Sequence, residues 1–260
     1  MNNPEIQDDS LRVKKPEGSK PTGLEDLEAP SVDQQKELIL KLQKIEVLIK
    51  ETLKTRAFCA EENEPAIVPV HWKKGSSPLV LVLGENASGK SLFKALLLMV
   101  AEEDFAYEGI FLGMDERTGA GLQKMKWFNE RQFSTGFNSI IAFQGAVRTS
   151  NKRDEYHIVF FDEPDIGLSD SVSAGMGIEI KENILDSHKS KGLYFLITHS
   201  TAMIKQLADL DPHYIYLGEN PPETLKEWLE RPVVPADLNE VMKDGRERFT
   251  KIQRLLDQRD

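Results

Sequence analysis

Gly84-Glu85-Asn86-Ala87-Ser88-Gly89-Lys90-Ser91 places two glycines, a lysine and a hydroxyl at the spacing G-x-x-x-x-G-K-[ST]. Glycines let a backbone curl until several N–H groups point inward, which makes a cradle for phosphate oxygens. The helix predicted over Ser91 to Val100, with Leu92 in its first turn, adds partial positive charge at the same point. Lys90 is then placed to reach the β- and γ-phosphates of a nucleoside triphosphate, and the Ser91 hydroxyl to ligate Mg²⁺. A buried strand, the complete motif and a helix, in that order, make the pattern far more specific than a glycine turn.

Two further groups fit the same chemistry. The apolar run Ile158 to Phe161 ends in Asp162 and Glu163, followed by Pro164. Asp162 suits the shell of Mg²⁺, reached through water, and Glu163 is placed to polarise a water that attacks the γ-phosphate. Alone, two acids at a strand end are simply solvated; beside a phosphate loop they point to ATP hydrolysis. A second apolar run, Phe195-Leu196-Ile197-Thr198, leads into His199 and Ser200. The connection between the two runs is long enough for one crossover helix, and adjacent strands would carry His199 to the γ-phosphate.

The elements that must position these residues are legible as a pattern. Ala66 to Trp72 and Pro78 to Leu83 read as strands, with Gly75, Ser76 and Ser77 between them. Gly109 to Leu112, His157 to Phe161, Leu193 to Thr198 and Tyr214 to Leu217 are further strands. Leu122 to Arg131, Phe137 to Val147 and Ser171 to Ser190 read as helical. Helices alternating with buried apolar strands predict an α/β fold with a mainly parallel sheet flanked by helices. Upstream, Ser31 with Gln34 makes a capping box, and Leu38, Leu42, Ile45 and Ile49 form one stripe of a helix running to about Lys54. Ile39, Leu40, Val47 and Leu48 widen its apolar surface, so it either packs on its own domain or serves as a short coiled-coil or partner helix. The expected organisation is a disordered acidic tail over 1–30, an amphipathic helix over 31–56, the catalytic domain over 57–220 and a charged helical segment over 221–260.

The series GENASGKS, FFDEP and LITHS resembles the ABC-type ATPases of the P-loop class. FFDEPDIGLSD looks like their soluble branch, which includes chromosome-maintenance, recombination-repair and overcoming-lysogenization-type ATPases. The resemblance covers about Pro78 to Leu217. It implies that Lys90 and Ser91 are the Walker A pair, Asp162 and Glu163 the Walker B pair and His199 the switch histidine. It also implies that Gly167, Leu168 and Ser169 form the loop lining a dimer interface. The family's signature loop grips the γ-phosphate bound to the opposite subunit. Phe133-Ser134-Thr135-Gly136-Phe137 is the candidate between the Walker motifs: Ser134 and Gly136 match in type and spacing, and Phe137 departs from the usual Gln or Glu. About 43 residues separate the phosphate loop from this candidate, which implies a trimmed helical subdomain. Gln123 and Gln132 are candidates for the family's Q-loop glutamine, and Phe58 and Trp72 for an adenine-stacking aromatic, with a core or surface role open for each.

Composition bounds the rest. Hydrophobic residues make up 40% and charged residues 29%, as in soluble globular chains. The longest apolar run, Ala95 to Ala101, is too short for a membrane span, and Met1 to Ser10 lacks the apolar core of a signal peptide. Cys59 is the only cysteine, so no internal disulfide forms and a cytoplasmic location is expected. A net charge of −10 leaves nucleic acid as a partner unsupported by charge, although a local basic stripe remains compatible with it. The expected activity is ATP hydrolysis with Mg²⁺ by a homodimer or higher oligomer that drives or times a protein or DNA effector, as in repair or phage defence. The alternatives are an ATP-sensing module with little turnover, the ATPase subunit of a transporter, or a small-molecule kinase. A kinase would leave Glu163 and His199 without evident roles.

Overall fold

The computed structural model describes residues 31–60, 65–113, 135–185 and 190–257. Its six strands are β1 (Val70–Lys73), β2 (Ser77–Gly84), β3 (Glu108–Leu112), β4 (His157–Asp162), β5 (Gly192–Ile197) and β6 (Pro212–Leu217). They form one sheet in the order β1-β6-β2-β5-β4-β3. All pairings are parallel except the edge pair β1–β6, which is antiparallel. The helices are α1 (Val32–Leu53), α2 (Lys90–Phe105), α3 (Thr135–Ser150), α4 (Asp170–Leu185), α5 (Thr201–Leu207), α6 (Leu225–Glu230) and α7 (Leu238–Asp257). The fold is therefore the expected α/β type, a mainly parallel sheet flanked by helices.

Alternation along β2 explains how both faces are covered. Leu79, Leu81 and Leu83 join a core with Phe143 of α3, Ile180 of α4, Ile204 of α5 and Trp228 of α6. Val80 and Val82 point the other way, to Ile45 and Ile49 of α1 and to Phe93 and Leu97 of α2. Successive side chains of a strand face opposite sides, so an uninterrupted apolar run has to be sandwiched.

Two expectations are refined. The first strand begins at Val70, not Ala66. The Val68 N–H is used on the Ala57 carbonyl, and Pro69, which has no N–H, only accepts, from Gly218. The helix α1 packs on its own domain through fully buried Ile45, Leu48 and Ile49, while Ile39, Leu40 and Val47 are exposed. The tail expected over 1–30 and the helix expected over Leu122 to Arg131 lie outside the described residues. Among the described residues no helix is long and apolar enough to cross a membrane.

The N-terminal ends of the strands are closed by buried polar pairs. His157 Nδ1 lies 2.8 Å from the Glu155 carbonyl, so it carries the proton, and Nε2 accepts from the Ser150 hydroxyl at 2.8 Å. Ser150 also meets the Ser190 hydroxyl at 2.8 Å and that of Tyr194 at 3.2 Å. Lys41, buried on α1, donates to the Ser190 carbonyl at 2.5 Å, and its burial lowers its pKa to about 8. On β6, buried His213 accepts from the Gly75 N–H at 3.3 Å, and burial lowers its pKa to about 4.

Candidate active site

At the other end of the same strands the chain turns from β2 into α2 through the phosphate loop. Gly84 has φ 149°, Ala87 φ 59° and Gly89 φ 106°, all in the left-handed half of backbone space. A Cβ on Gly84 would lie 2.3 Å from the Leu217 carbonyl oxygen and 2.5 Å from Ser88 Oγ, so no larger residue fits there. Gly89 caps α2 without a side-chain hydrogen bond, which leaves first-turn N–H groups for an anion. The buried Ser88 hydroxyl has no partner, as a donor held ready for a ligand oxygen would not. Glu85, Asn86, Ala87 and Ser91 are exposed around this cradle, and Leu92 is half-buried beneath it.

Lys90 is buried and donates to the Gly84 and Glu85 carbonyls, at 2.9 Å each. Burial lowers its pKa, and the carboxylates of Glu163, Glu85 and Asp162 act in the opposite direction. The strand order then decides what faces it. β5 lies between β2 and β4, with Val82, Ile197 and Asp162 in register. Glu163 follows Asp162 at φ 48°, and its N–H is bonded to the Ile197 carbonyl at 2.8 Å. A non-glycine residue held in that conformation stores about 1 kcal/mol, a cost that clusters at functional sites. His199 Nε2 stands 3.5 Å from Glu163 Oε1. Burial and the nearby Lys90 ammonium lower the His199 pKa against the pull of Glu163. An uncharged imidazole is thereby favoured beside the acid.

Three sets of contacts were not anticipated from the sequence. Lys94, on the second turn of α2, donates to Asp162 Oδ2 at 2.9 Å. Its spacing of four from Lys90 is the signal that carries it, because i and i+4 share a helix face. Buried Thr198 donates to Asp165 Oδ1 at 2.7 Å and accepts from the Ser200 N–H at 2.9 Å, tying the end of β5 to the loop after the acids. On the outer side of the phosphate loop, Arg231 pairs with Glu85 at 2.6 Å, and Arg248 of α7 donates to the Ala87 carbonyl. Nothing local in the sequence announces those two arginines.

The remaining candidates divide. Gly136, in the first turn of α3, sits where a Cβ would come within 2.9 Å of the Gly167 carbonyl oxygen and of Leu168 Cδ2. The fold thus brings Gly136 of the signature candidate against the loop candidate of its own chain. Ser134, Gln123 and Gln132 lie outside the described residues. Phe58 is buried edge-on against Phe93, with ring centroids 5.8 Å apart, and so belongs to the core; Trp72 is half-buried on β1.

Among the described residues no three His, Cys, Asp or Glu side chains cluster as a metal cage. A divalent ion here would depend on the Ser91 hydroxyl, the Asp162 carboxylate, water and substrate phosphates, the donor set that suits Mg²⁺.

A strand, a G-x-x-x-x-G-K-S loop and a helix on a mainly parallel sheet make up the P-loop NTPase fold. No family model and no curated protein sequence matches the chain. Among solved structures, Cdc6p from Pyrobaculum aerophilum is similar at a TM-score of 0.32 and 15% sequence identity, over 72% of this chain and 43% of that one. The chain spans less than half the length of that structure.

Proposed function

We propose that this chain binds ATP with Mg²⁺ and hydrolyses it, as a soluble ABC-type ATPase. The observation that carries the reading is the convergence of Lys90, Asp162, Glu163 and His199 at the C-terminal ends of β2, β4 and β5, where ligands of open α/β sheets bind. Lys90 and the loop N–H groups hold the phosphates. Ser91 and Asp162 would hold the metal, whose charge would offset that of the transferred phosphoryl group. Glu163 positions and deprotonates the attacking water, and His199, beside it, orients that water toward the γ-phosphate.

Two copies close around two ATP molecules, with Ser134 and Gly136 of each chain facing the phosphate held by Lys90 of the other. The uncapped start of α2 covers one side of the γ-phosphate, and the opposed serine and glycine N–H would cover the second. Hydrolysis opens the pair and drives or times an effector, a protein or DNA. The decisive experiment is ATP binding by the Lys90→Ala variant. Affinity and turnover should be abolished or greatly weakened, and an unchanged affinity would refute the site assignment. Phe137, where the resembled family carries Gln or Glu, favours a second reading, an ATP sensor with little turnover. Phosphate release measured beside ATP affinity separates the two.

A further inference from the structure

Lys90 and Lys94 lie one turn apart on α2, so both side chains leave the helix toward the strand ends. They end differently. Lys90 folds back onto loop carbonyls, whereas Lys94 reaches across 68 positions of sequence to Asp162 Oδ2. Both side chains of that pair are about three-quarters shielded, at 22% and 25% exposure. The Lys94 ammonium also lies 5.8 Å from the centre of the Phe160 ring, a position that favours a cation.

We infer that Lys94 is a resident counter-cation of Asp162 that the divalent ion must displace, so that metal is admitted to the site together with nucleotide and resisted without it. The inference rests on the functional reading above, in which Asp162 is the metal carboxylate. Asp162 cannot keep the ammonium on Oδ2 and also serve a divalent ion, directly or through water, without bringing two cations close together in a site about three-quarters shielded, where they repel. Free metal therefore has to break the Lys94 pair and leaves the ammonium with no new partner. Metal arriving on a nucleoside triphosphate brings several phosphate oxygens, and the displaced ammonium can turn to them. Before nucleotide binds, the same pair offsets the charge of Asp162 beside Glu163, its neighbour in sequence. Lys94 is on this account a positioning residue that sets the order of loading.

The test uses the full chain and Mn²⁺ as a spin probe, titrated by electron paramagnetic resonance without nucleotide and again with a saturating non-hydrolysable ATP analogue. Lys94→Met should bind Mn²⁺ alone about fivefold more tightly than wild type, the factor expected from removing one partly shielded ion pair. The difference should shrink when the analogue is present. Lys94→Arg, which keeps the charge, should stay at the wild-type level, and Lys94→Gln repeats the neutral case should the methionine variant fold poorly. Equal Mn²⁺ affinity in wild type and both neutral variants overturns the inference, as does an equal gain in Lys94→Arg. Binding of the analogue in the presence of Mg²⁺, compared between wild type and Lys90→Ala, tests the functional reading separately. If wild type binds no nucleotide, that reading falls and this inference with it. If it binds nucleotide while Mn²⁺ ignores Lys94, the inference alone falls.

Discussion

The strands β4 and β5 each carry polar chemistry at both ends, and the two ends are built in opposite ways. At the N-terminal end His157, Ser150, Ser190 and Tyr194 are buried and bonded to one another. At the C-terminal end Asp162, Glu163 and His199 are half-shielded or exposed, and Glu163 sits on a strained backbone. Burial lowers the pKa of both His157 and His199. The first histidine has its hydrogen bonds completed by the protein. The second faces an acid at 3.5 Å and a lysine that is folded onto its own loop. A polar group whose needs are met inside the protein contributes to a unique fold; one held in place with its needs partly unmet is ready for a ligand.

The sharpest way to break this contrast is Glu163→Gln. If the C-terminal end does the chemistry, ATP turnover should fall roughly 100-fold or more while ATP binding persists. Phosphate release and equilibrium binding measured on one preparation check this, and full turnover would place the chemistry elsewhere.

The next effect concerns pH and belongs to the closed end. His213 has a folded pKa of about 4, against about 6.5 for an unperturbed histidine. Between those values the unfolded chain binds more protons, so stability is complete above about pH 6.5 and declines as pH falls toward 4. This one group should account for about 3 kcal/mol over that window. Denaturant titrations of wild type and His213→Phe at pH 7 and pH 5 should show the variant losing less on acidification. Parallel pH profiles would contradict the assignment. His157 works in the same direction, since burial lowers its pKa as well.

His157→Leu should cost about 2 kcal/mol, because the Ser150 hydroxyl and the Glu155 carbonyl each lose their bond to the buried ring. The melting temperature should drop, while the affinity for ATP, read well below the melt, should stay within experimental scatter. A variant that kept its stability and lost nucleotide binding would erase the division between the two ends.

The smallest effect is expected at α7. Arg248→Ala removes the hydrogen bond from this helix to the Ala87 carbonyl of the phosphate loop. Global stability should change by less than about 1 kcal/mol, since the contact is exposed. Amide exchange across Leu238–Asp257 should quicken while β2 and β5 stay protected. Unchanged exchange would mean that the helix is held by something other than this arginine.

The sequence by itself determined the parts that depend on neighbours along the chain. The apolar runs of β2, β4, β5 and β6 announce strands, because an unbroken hydrophobic stretch needs cover on both faces. The loop from Gly84 to Ser91 announces phosphate binding through the conformations that only its residue types allow. Asp162, Glu163 and His199 were legible as candidates because each ends or closely follows such a run. Only the tertiary structure decided which groups meet. That β5 lies between β2 and β4 follows from packing of the whole sheet, and it alone sets His199 beside Glu163. Lys94 on Asp162, Arg231 on Glu85 and Lys41 under Ser190 join residues 68, 146 and 149 positions apart. Contacts at such separation leave no periodicity to read, since a lysine or arginine bound for a distant partner looks, in one chain, like any solvated cation.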